Sequence, residues 1–492
     1  MLFGVTRQTL VLTVAVLILA GPAHLARAQC QSGEIAKLVA SDAATGDQLG
    51  FASAISGDTA VIGARYGDGN EADSGAAYVY VWDGSAWIEE AKLIADDGGY
   101  DDAFGRTVAV WDGTVSGRRR AVIGATRADP AGDASGAAYV FLFDGQDWVQ
   151  EQRLLGTDTT AGDNFGYSVA IWGETVVVGA RGDGGWIGSA YVFEFDGLTW
   201  VQQQKLVASD GADGDQFGTS VAIADEVIVV GAYSDDNANG VNAGAAYAYR
   251  YNGSSWDQED KLIASNGAPD DSFGWAVAAW GDVVVVGAYQ DDDNGAASGS
   301  AYAFRYAPGP PADWLEEQHL LSSDGAFGDR FGYAVAAAPD VAVISAHLDD
   351  DQGASSGSAY VFHFNGASWT EAAKLLPADG AGGDQFGQSL AVSGLSAAAA
   401  RRIVAGAFRD ADAGAASGSA YVFANAADCN GNGVLDLCDI ALATSHDYNA
   451  DGLPDECEGV VPALSPLGLI TMSLLLLAAG GVLIRRRLRI TR

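Results

Sequence analysis

The sequence predicts an all-β protein whose main domain is a seven-bladed β-propeller of four-stranded blades, closed by the N-terminal strand. Three short residue patterns return in the same order every 52 to 61 residues, and each of them occurs seven times. Periods of this length indicate stacked supersecondary units rather than one irregular domain. We place the propeller at residues 33–423, and we predict a small calcium-loop module and a C-terminal transmembrane helix after it.

The three patterns contain little more than glycine, alanine and aromatic residues. The first is Phe-Gly, with Leu-Gly in the first copy: Leu49-Gly50, Phe104-Gly105, Phe165-Gly166, Phe217-Gly218, Phe273-Gly274, Phe331-Gly332 and Phe386-Gly387. The second is Gly-Ala after an apolar run, with one serine variant: Gly63-Ala64, Gly124-Ala125, Gly179-Ala180, Gly231-Ala232, Gly287-Ala288, Ser345-Ala346 and Gly406-Ala407. The third is Gly-(Ala/Ser)-Ala-Tyr, which ends at Tyr78, Tyr139, Tyr191, Tyr247, Tyr302, Tyr360 and Tyr421. We interpret all three as packing features, because glycine lets two backbones approach closely near a crowded axis.

Composition excludes several classes of protein. A chain of 492 residues that is 49% apolar can bury a large core, which excludes disorder for most of it. Its net charge of −38 argues against binding of nucleic acid or of anionic membranes by the folded part. Cations and neutral or basic partners are therefore expected. All four cysteines lie outside the repeats, which suits an oxidising compartment with a few disulfides.

Residues 1–28 are predicted to be a signal peptide. Arg7 supplies the charged start, Leu10 to Ala20 the apolar run, and Ala26-Arg27-Ala28 the small-x-small cleavage site. A transmembrane anchor is the alternative, but the apolar run is only about half of the roughly 20 residues that a span needs. We therefore expect the protein to be exported.

Each repeat offers four strand candidates separated by turn residues. The first follows Phe-Gly (Tyr167 to Ile171), the second is the valine run (Val283 to Val286), and the third is Ala-Tyr-Val-Phe. The fourth follows a Gly-x-x-Trp turn and ends in Lys-Leu (Trp200 to Leu206). Four short strands per unit are typical of a propeller blade. The second strand is apolar throughout, so we expect both of its faces to be covered.

The two ends of the repeat array predict how the ring closes. The seventh repeat stops at Phe423 without a Gly-x-x-Trp strand, while Glu34 to Leu38 near the N-terminus matches the fourth-strand pattern. We therefore expect the N-terminal segment to complete the seventh blade. Such closure removes the free sheet edges of an open array.

The seven Phe-Gly and Gly-Ala pairs resemble FG-GAP repeats, the units of the propeller in integrin alpha subunits. The resemblance covers residues 33–423 and implies a seven-bladed ring with a role in surface binding. One departure is clear, because the integrin type has Asp-x-Asp-x-Asp-Gly calcium loops between the first and second strands. Here that place has short turns such as Trp280-Gly281-Asp282. The chain thus looks like a bacterial FG-GAP variant that lacks the integrin calcium sites.

Acidic residues concentrate in two other sets of loops, which we expect on one face of the ring. One set precedes Phe-Gly, and the other joins the second and third strands. From the second set we predict calcium ligands, which are Asp235, Asp236, Asp291, Asp292, Asp293, Asp349, Asp350 and Asp351. Crowded carboxylates repel unless cations neutralise them, and Ca²⁺ prefers oxygen ligands. The alternative is that aspartate is a common turn residue. We call this surface the acidic loop face.

Residues 428–458 are predicted to form paired calcium-binding loops. Two loops place oxygen ligands at positions 1, 3, 5, 9 and 12 with glycine at position 6, as calcium loops do. The predicted ligands are Asp428, Asn430, Asn432, Asp436 and Asp439 in the first loop, and Asp447, Asn449, Asp451, Asp455 and Glu458 in the second. A solvated acidic linker is the alternative. Only residues 440–446 separate the loops, too few for paired EF-hands, so the segment resembles a thrombospondin type 3 or dockerin-like repeat.

The four cysteines flank the predicted calcium loops and the N-terminal strand. Cys438 and Cys457 occupy equivalent positions in the two loops, and if they pair with each other, Cys30 and Cys429 remain for a second bond. Four cysteines allow three connectivities, so the pairing stays open.

The C-terminus, residues 461–492, is predicted to be a sorting and transmembrane segment. Leu467 to Ile484 gives 18 uncharged residues, and Arg485-Arg486-Arg487 follows, which favours a membrane span with its basic end in the cytoplasm. Pro462, Leu464, Ser465 and Gly468 resemble the opening of IPTL-CTERM and PEP-CTERM sorting tails. That resemblance implies a Gram-negative bacterium, an exosortase-like processing enzyme and the cell surface or outer envelope. A permanent single-pass anchor is the alternative.

The sequence favours a non-enzymatic surface protein. Five histidines without a paired metal spacing, and no recognisable nucleophile motif, argue against catalysis. We expect calcium-dependent adhesion to an extracellular polysaccharide or surface protein, with the membrane contacted through the C-terminal helix. A structural component of a matrix or envelope without a discrete ligand is the first alternative. A glycan-active enzyme that uses two carboxylates is the second.

Overall fold

The computed structural model describes residues 33–113, 118–309, 313–393 and 401–425, which form seven four-stranded antiparallel sheets. The strands in chain order are β1 (Glu34–Leu38), β2 (Leu49–Ser56), β3 (Thr59–Ala64), β4 (Ala76–Trp82), β5 (Trp87–Leu93), β6 (Phe104–Trp111), β7 (Arg120–Ala125), β8 (Ala137–Phe143), β9 (Trp148–Leu154), β10 (Phe165–Trp172), β11 (Thr175–Ala180), β12 (Ser189–Phe195), β13 (Trp200–Leu206), β14 (Ser220–Ala224), β15 (Val227–Ala232), β16 (Ala245–Tyr251), β17 (Trp256–Leu262), β18 (Phe273–Trp280), β19 (Val283–Ala288), β20 (Ser300–Ala307), β21 (Asp313–Leu320), β22 (Phe331–Ala338), β23 (Val341–Ala346), β24 (Ser358–Phe364), β25 (Trp369–Leu375), β26 (Leu390–Val392), β27 (Arg401–Ala407) and β28 (Ser419–Asn425). A single helical turn, α1 (Asp183–Trp186), lies between β11 and β12.

The sheets form a closed ring. In the first six blades, β2 to β25 pair in chain order within each sheet. The first strand of every blade contacts the first strands of both neighbouring blades, from β2 around to β26 and back to β2. These seven first strands therefore line the axis, and the prediction of a seven-bladed propeller is confirmed.

The N-terminal strand completes the seventh blade. Strand β1 pairs antiparallel with β28, with Ala36 opposite Val422 and Leu38 opposite Ala420. The seventh sheet thus has the order β1-β28-β27-β26, in which its outermost strand comes from the opposite end of the propeller sequence. The predicted closure is confirmed.

The hydrophobic core lies between the blades. Val177 and Val192 of the third blade pack in one cluster with Phe217 and Tyr247 of the fourth, and the other blade pairs repeat this arrangement. Strand β19, Val283–Ala288, is buried at every position, because it has a neighbouring blade on each face. The expectation that the valine runs are covered on both sides is confirmed.

In five of the seven blades the Phe-Gly or Leu-Gly pair is part of the first strand, whereas β14 and β26 begin after the pair. Strand β10 begins at Phe165, two residues before the predicted start at Tyr167. Its pairing with β11 shifts register between Phe165 and Ser168. Gly166 adopts a φ of +82° there, which only glycine takes without strain. The sequence pattern therefore marks a bulge at the start of the first strand in these five blades.

The three patterns meet at each joint between neighbouring blades. A Cβ added to Gly231 of the fourth blade would lie 1.9 Å from the carbonyl oxygen of Gly274 in the fifth. At the same joint Gly244, which begins the third pattern, forms a parallel bridge with Phe273. Glycine is required here because two backbones are in direct contact.

The outer strands add polar links between blades. The indole N–H of Trp200 donates a hydrogen bond to Glu151 of the preceding blade at 2.9 Å. The backbone of Trp200 also exchanges two hydrogen bonds of 2.8 Å with the Gln152 side chain. Gln204 and Trp256, and Gln318 and Trp369, repeat this link. The recurring tryptophan thus joins neighbouring blades at their outer edge.

Several predictions fall on residues outside those that the structure describes. These are the signal peptide at 1–28, the calcium loops at 428–458 with the four cysteines, and the segment 461–492. Among the described residues no helix has the length and apolar character needed to cross a membrane. The predicted span at 467–484 therefore stays a prediction.

We predict that Gly231→Ala destabilises the ring by about 2 kcal/mol or more, because its Cβ would overlap the Gly274 carbonyl and neither backbone is free to move. Thermal unfolding of the purified chain measures this as a lower transition midpoint. Gly309→Ala is the control, because nothing lies within 4 Å of its added Cβ. Equal midpoints for the two variants would contradict the proposed joint.

Candidate functional site

The tyrosine of the third pattern joins the two sets of acidic loops. Tyr247 is fully buried, and its hydroxyl donates to Asp210 in the loop before β14 and to Asp235 in the loop after β15, both at 2.8 Å. The equivalent pairs with the first loop set are Tyr78–Asp42, Tyr139–Asp97, Tyr191–Asp158, Tyr302–Asn266, Tyr360–Asp324 and Tyr421–Asp379. The two loop sets therefore lie on one face, as predicted.

In six of the seven blades a lysine or arginine forms ion pairs with carboxylates of these loops. In the sixth blade the ammonium group of Lys374 lies 2.8 Å from both Asp324 and Asp349 and 2.6 Å from Asp351. Lys374 sits on β25 directly opposite Tyr360 on β24. The residues at the same position in the other blades are Lys37, Lys92, Arg153, Lys205 and Lys261, with His319 in the fifth blade. The acidic loop face thus contains its own cations.

These contacts set the protonation of the face. Burial opposes ionisation of Asp349, but hydrogen bonds and charge from Lys374 outweigh it, so the pKa of Asp349 lies below its usual value. Asp329 forms no ion pair within the described ranges and accepts a hydrogen bond from the Ala326 N–H at 2.7 Å. Burial, with the charges of Asp349 and Asp350 nearby, raises the pKa of Asp329 to about 6. The lysine position therefore decides which carboxylates stay charged.

The eight predicted calcium ligands of the ring occupy two kinds of environment. Asp235, Asp291 and Asp349 are buried, and each accepts a hydrogen bond from the tyrosine of its blade. The other five are exposed: Asp236, Asp292, Asp293, Asp350 and Asp351. Lysine or arginine takes the place next to the buried carboxylates in most blades. Calcium ligation by this set stays a prediction.

The fifth blade is the exception to this arrangement. One ligand atom from each of Asp291, Asp293 and His319 lies within 4.8 Å of the others, a spacing that could hold a metal ion. The His319 ring stacks on Tyr302 at 4.6 Å, and Asn266 replaces the aspartate of the other blades. One cation and one carboxylate are thus lost together. Calcium prefers oxygen ligands, so the imidazole makes this set a poor calcium site.

A second candidate site lies at the mouth of the axis on the acidic loop face, and sequence reasoning missed it. We call it the axial mouth. It consists of the residues after Phe-Gly, which are Phe51, Arg106, Tyr167, Thr219, Trp275, Tyr333 and Gln388, and those after Gly-Ala, which are Arg65, Thr126, Arg181, Tyr233, Tyr289, His347 and Phe408. All seven first strands line an axial cavity of ≈ 260 Å³ at this end.

The first three blades supply the basic half of the axial mouth. Arg65, Arg106, Arg127 and Arg181 line a cavity of ≈ 180 Å³ that shares Arg106 and Tyr167 with the axial cavity. Burial, with the charges of Arg106 and Arg127 nearby, lowers the pKa of Arg65 to about 10. The Nε of Arg181 is buried without a hydrogen-bond partner among the described residues. Positive charge is thus concentrated in one recess.

The last four blades supply the aromatic half of the axial mouth. The Trp275 ring lies 4.9 Å from Tyr289, 5.0 Å from Tyr233 and 5.6 Å from Tyr333. His347 packs on Tyr333 with ring centroids 3.7 Å apart. Burial and the charges of Arg330 and Arg409 lower the pKa of His347 to about 3, so its ring is neutral at pH 7. The mouth therefore combines a half rich in arginine with a half rich in aromatic rings, beside which Arg330 and Arg409 also lie.

The sequence does contain a signal for the axial mouth. Its members follow directly after two of the three repeat patterns, and equivalent positions in a closed repeat array meet around the axis. Arg65 and Arg181 both follow Gly-Ala, and Arg106 follows Phe-Gly. Aligning the seven repeats and comparing their equivalent positions would have predicted that these arginines lie close together.

Comparison with known proteins agrees with the fold. The sequence profile described as "FG-GAP repeat" matches seven segments, which are residues 33–80, 87–141, 148–193, 200–249, 256–304, 314–362 and 369–423. Each segment begins on the fourth strand of one blade and includes the first three strands of the next. No curated protein sequence matches the chain. Among solved structures, the crystal structure of Saccharomyces cerevisiae Sqt1 has 9% identity and a TM-score of 0.44, and the alignment covers 80% of this chain and 99% of that one.

We predict that Lys374→Met destabilises the protein by about 3 kcal/mol at pH 7, because buried Asp349 loses its cation. Chemical unfolding from pH 7 to pH 3 measures this. A carboxyl whose folded pKa is lowered stabilises the fold above its unfolded pKa of about 3.9, and that stability is lost as the pH falls. The gap between wild type and variant should therefore shrink towards and below about pH 4.

Lys92→Met is the matched control for this prediction. Lys92 holds the same position in the first blade, but its carboxylate partner Asp42 is 50% exposed. An exposed pair contributes less than about 1 kcal/mol, so we expect only a small loss. Equal losses for the two variants would show that the buried ion pair in the sixth blade is not what stabilises the loops.

Proposed function

The chain belongs to the FG-GAP repeat family, and from that premise we propose that it is a non-enzymatic, exported binding protein of adhesion type. The proposed ligand is a glycan or a protein, held on the acidic loop face. The proposed location is the cell surface or outer envelope of a Gram-negative bacterium. The observation that carries this proposal is the axial mouth, a recess with unpaired polar groups and exposed rings at the centre of a rigid face.

The rigidity of the face supports a binding role. In the fourth to seventh blades a buried tyrosine ties the loop before Phe-Gly to the loop after Gly-Ala, and in the sixth blade Lys374 contacts both loops as Tyr360 does. Loops fixed in this way lose little conformational entropy when a ligand binds. Loop surfaces held by a rigid scaffold are also where binding residues concentrate.

The chemistry of the face supports binding rather than catalysis. A glycosidase needs one carboxyl group as an acid and a second as a base or nucleophile, both facing the substrate. The buried carboxylates Asp235, Asp349 and Asp410 instead accept hydrogen bonds from tyrosine and pair with lysine. Carboxylates held in this way are structural, which is why we propose no reaction.

Export, anchoring and calcium complete the proposal. Residues 1–28 would direct export, and residues 461–492 would anchor the chain or present it to an exosortase-like enzyme. The loops at 428–458 would bind Ca²⁺. Calcium dependence of adhesion would then come from the tail, since in six blades a lysine or arginine already forms ion pairs with the acidic loops of the ring.

We expect the full-length chain, solubilised in detergent, to bind at least one soluble bacterial polysaccharide or surface-protein extract saturably, without shortening the polysaccharide. Biolayer interferometry measures the binding, and size-exclusion chromatography measures the length of the polysaccharide. Binding with no change in length supports the proposal. Shortening of the polysaccharide would favour the glycan-active enzyme. If the chain binds none of the samples, a scaffold without a discrete ligand is favoured.

We expect about two calcium ions per full-length chain, one for each predicted tail loop. Replacing Asp428 and Asp447 together by alanine should remove both ions, because each provides the first ligand of its loop. Isothermal titration calorimetry counts the sites. The matched control replaces Asp292 and Asp350, which are exposed in the ring, and should leave the count unchanged. Loss of ions from this control would place calcium on the ring instead.

A further inference from the structure

We propose that the axial mouth binds the carboxylate groups of an acidic polysaccharide, with Arg65, Arg106 and Arg181 holding a carboxylate and the aromatic half packing against the sugar rings. This inference rests on the proposed binding function and names the class of ligand. It also reverses, for this one recess, what the net charge of −38 suggests about partners.

The first step is the distribution of ion pairs. Most basic residues of the outer strands are paired, as Lys374 is with three aspartates and Arg305 with Glu317 at 2.7 Å, whereas Arg330 and Arg409 lie over the rings of Tyr289 and Phe408. Within the described ranges, Arg65, Arg106 and Arg181 form no ion pair with a carboxylate of the chain. The positive charges of these three arginines are therefore available to an anionic ligand, although the protein has a large excess of acidic residues.

The second step is how these arginines are held. The guanidinium of Arg65 lies 3.8 Å from the centre of the Phe51 ring, and those of Arg106 and Arg181 lie 4.2 and 3.9 Å from the Tyr167 ring. Aromatic faces stabilise a guanidinium without using its N–H donors. The Nε–H of Arg65 donates to Gln48 at 2.7 Å. The other N–H donors of the three guanidinium groups stay available in a fixed fork, which matches the two oxygens of a carboxylate.

The third step is desolvation. The Nε of Arg181 is buried and has no hydrogen-bond partner in the described part of the chain. A buried donor without a partner costs free energy, so a site containing one is poised to accept an oxygen from a ligand. On the aromatic side, His347 is 4% exposed, and its Nδ1 is also buried without a hydrogen-bond partner among the described residues. Both halves of the mouth thus contain an unsatisfied polar atom.

The fourth step is the aromatic half. Tyr233, Trp275, Tyr289 and Tyr333 are partly exposed and pack edge to face or tilted against one another. Such rings offer an apolar surface with hydroxyl groups at its edge, which suits the mixed apolar and polar surface of a sugar. The two connected cavities together fall within the about 300–1,000 Å³ typical of small-molecule sites.

The fifth step is the effect of the acidic loop face around the mouth, which determines which anions can enter. The outer loops repel a polyanion over about 8 Å at physiological salt, whereas contacts inside the recess are screened less. A densely charged polymer cannot enter without bringing many charges close to those loops. A sugar chain with one carboxylate per ring can place a single carboxylate in the mouth. The site should therefore favour a uronate polymer over sulfated dextran or DNA.

The test uses the full-length chain in detergent and trigalacturonate as the probe, with isothermal titration calorimetry as the readout. We expect Arg106→Gln and Arg181→Gln each to weaken binding about tenfold or more, because each removes a charge-assisted hydrogen bond. Arg305→Gln is the matched control, since Arg305 lies near the end of β20 that points away from the acidic loop face and is paired with Glu317. It should leave the affinity unchanged.

A second variant keeps the test decisive if the glutamine variants unfold. Arg106→Lys retains the charge but not the fork, so it should fold like the wild type and weaken binding by less than Arg106→Gln. Thermal unfolding of every variant checks the fold. Equal affinities of wild type, Arg106→Lys and Arg181→Gln for trigalacturonate would overturn the inference.

Three further probes separate this inference from the proposed function. Fully methyl-esterified trigalacturonate lacks the carboxylates, and tight binding to it would overturn the inference while leaving a glycan-binding protein. Polyglutamate offers carboxylates without sugar rings, and equal binding to it would show that the aromatic half does not contribute to recognition. Equal binding of dextran sulfate would show that the acidic loops around the mouth do not exclude densely charged polymers. If the chain binds other glycans or surface proteins but not trigalacturonate, the inference fails and the proposed function stands.

Discussion

The ring depends on direct contact between two glycine backbones at the joints between blades. At the joint between the fourth and fifth blades, Gly231 leaves no room for even a methyl group against the carbonyl of Gly274. The same close approach recurs from Gly63 against Gly105 to Gly406 against Gly50, which closes the circle. Because the backbones touch, the apolar second strands and the buried Phe and Tyr rings can fill the space between the sheets without cavities.

Once the joints fix the blades, the loops on one face are fixed by charge. The buried tyrosine of each blade is hydrogen-bonded to an acidic or amide side chain. In six blades the lysine or arginine opposite that tyrosine forms ion pairs with the neighbouring aspartates. Asp349 shows the result, since it is 4% exposed and still ionised because Lys374 lies 2.8 Å away. A buried carboxylate without its cation would be costly. The fifth blade departs from this arrangement, because its Asp291 is 2% exposed but has His319 in place of the lysine, and Asn266 replaces the aspartate of the first loop set.

Net charge proved a poor guide to local chemistry. The value of −38 describes the sum over the chain, whereas a ligand responds to charges within about a Debye length. Each lysine or arginine of the acidic loops pairs with only part of the surrounding carboxylates, as Lys374 does with three aspartates. Three arginines that form no ion pair within the described ranges, Arg65, Arg106 and Arg181, lie at the axial mouth. The predicted preference for cations and basic partners therefore does not extend to this recess, which is positively charged.

The sequence by itself determined the number of blades, the four strands of each, the closure by Glu34–Leu38 and the common face of the two acidic loop sets. All of these follow from local patterns and their period, which remain visible along the chain. Only the tertiary structure decided that Lys374 neutralises Asp324, 50 residues away, and that Arg65, Arg106 and Arg181 share one recess. The physical reason is that Coulomb energy and desolvation depend on distances in space. Closing the ring brings together positions that the chain keeps far apart.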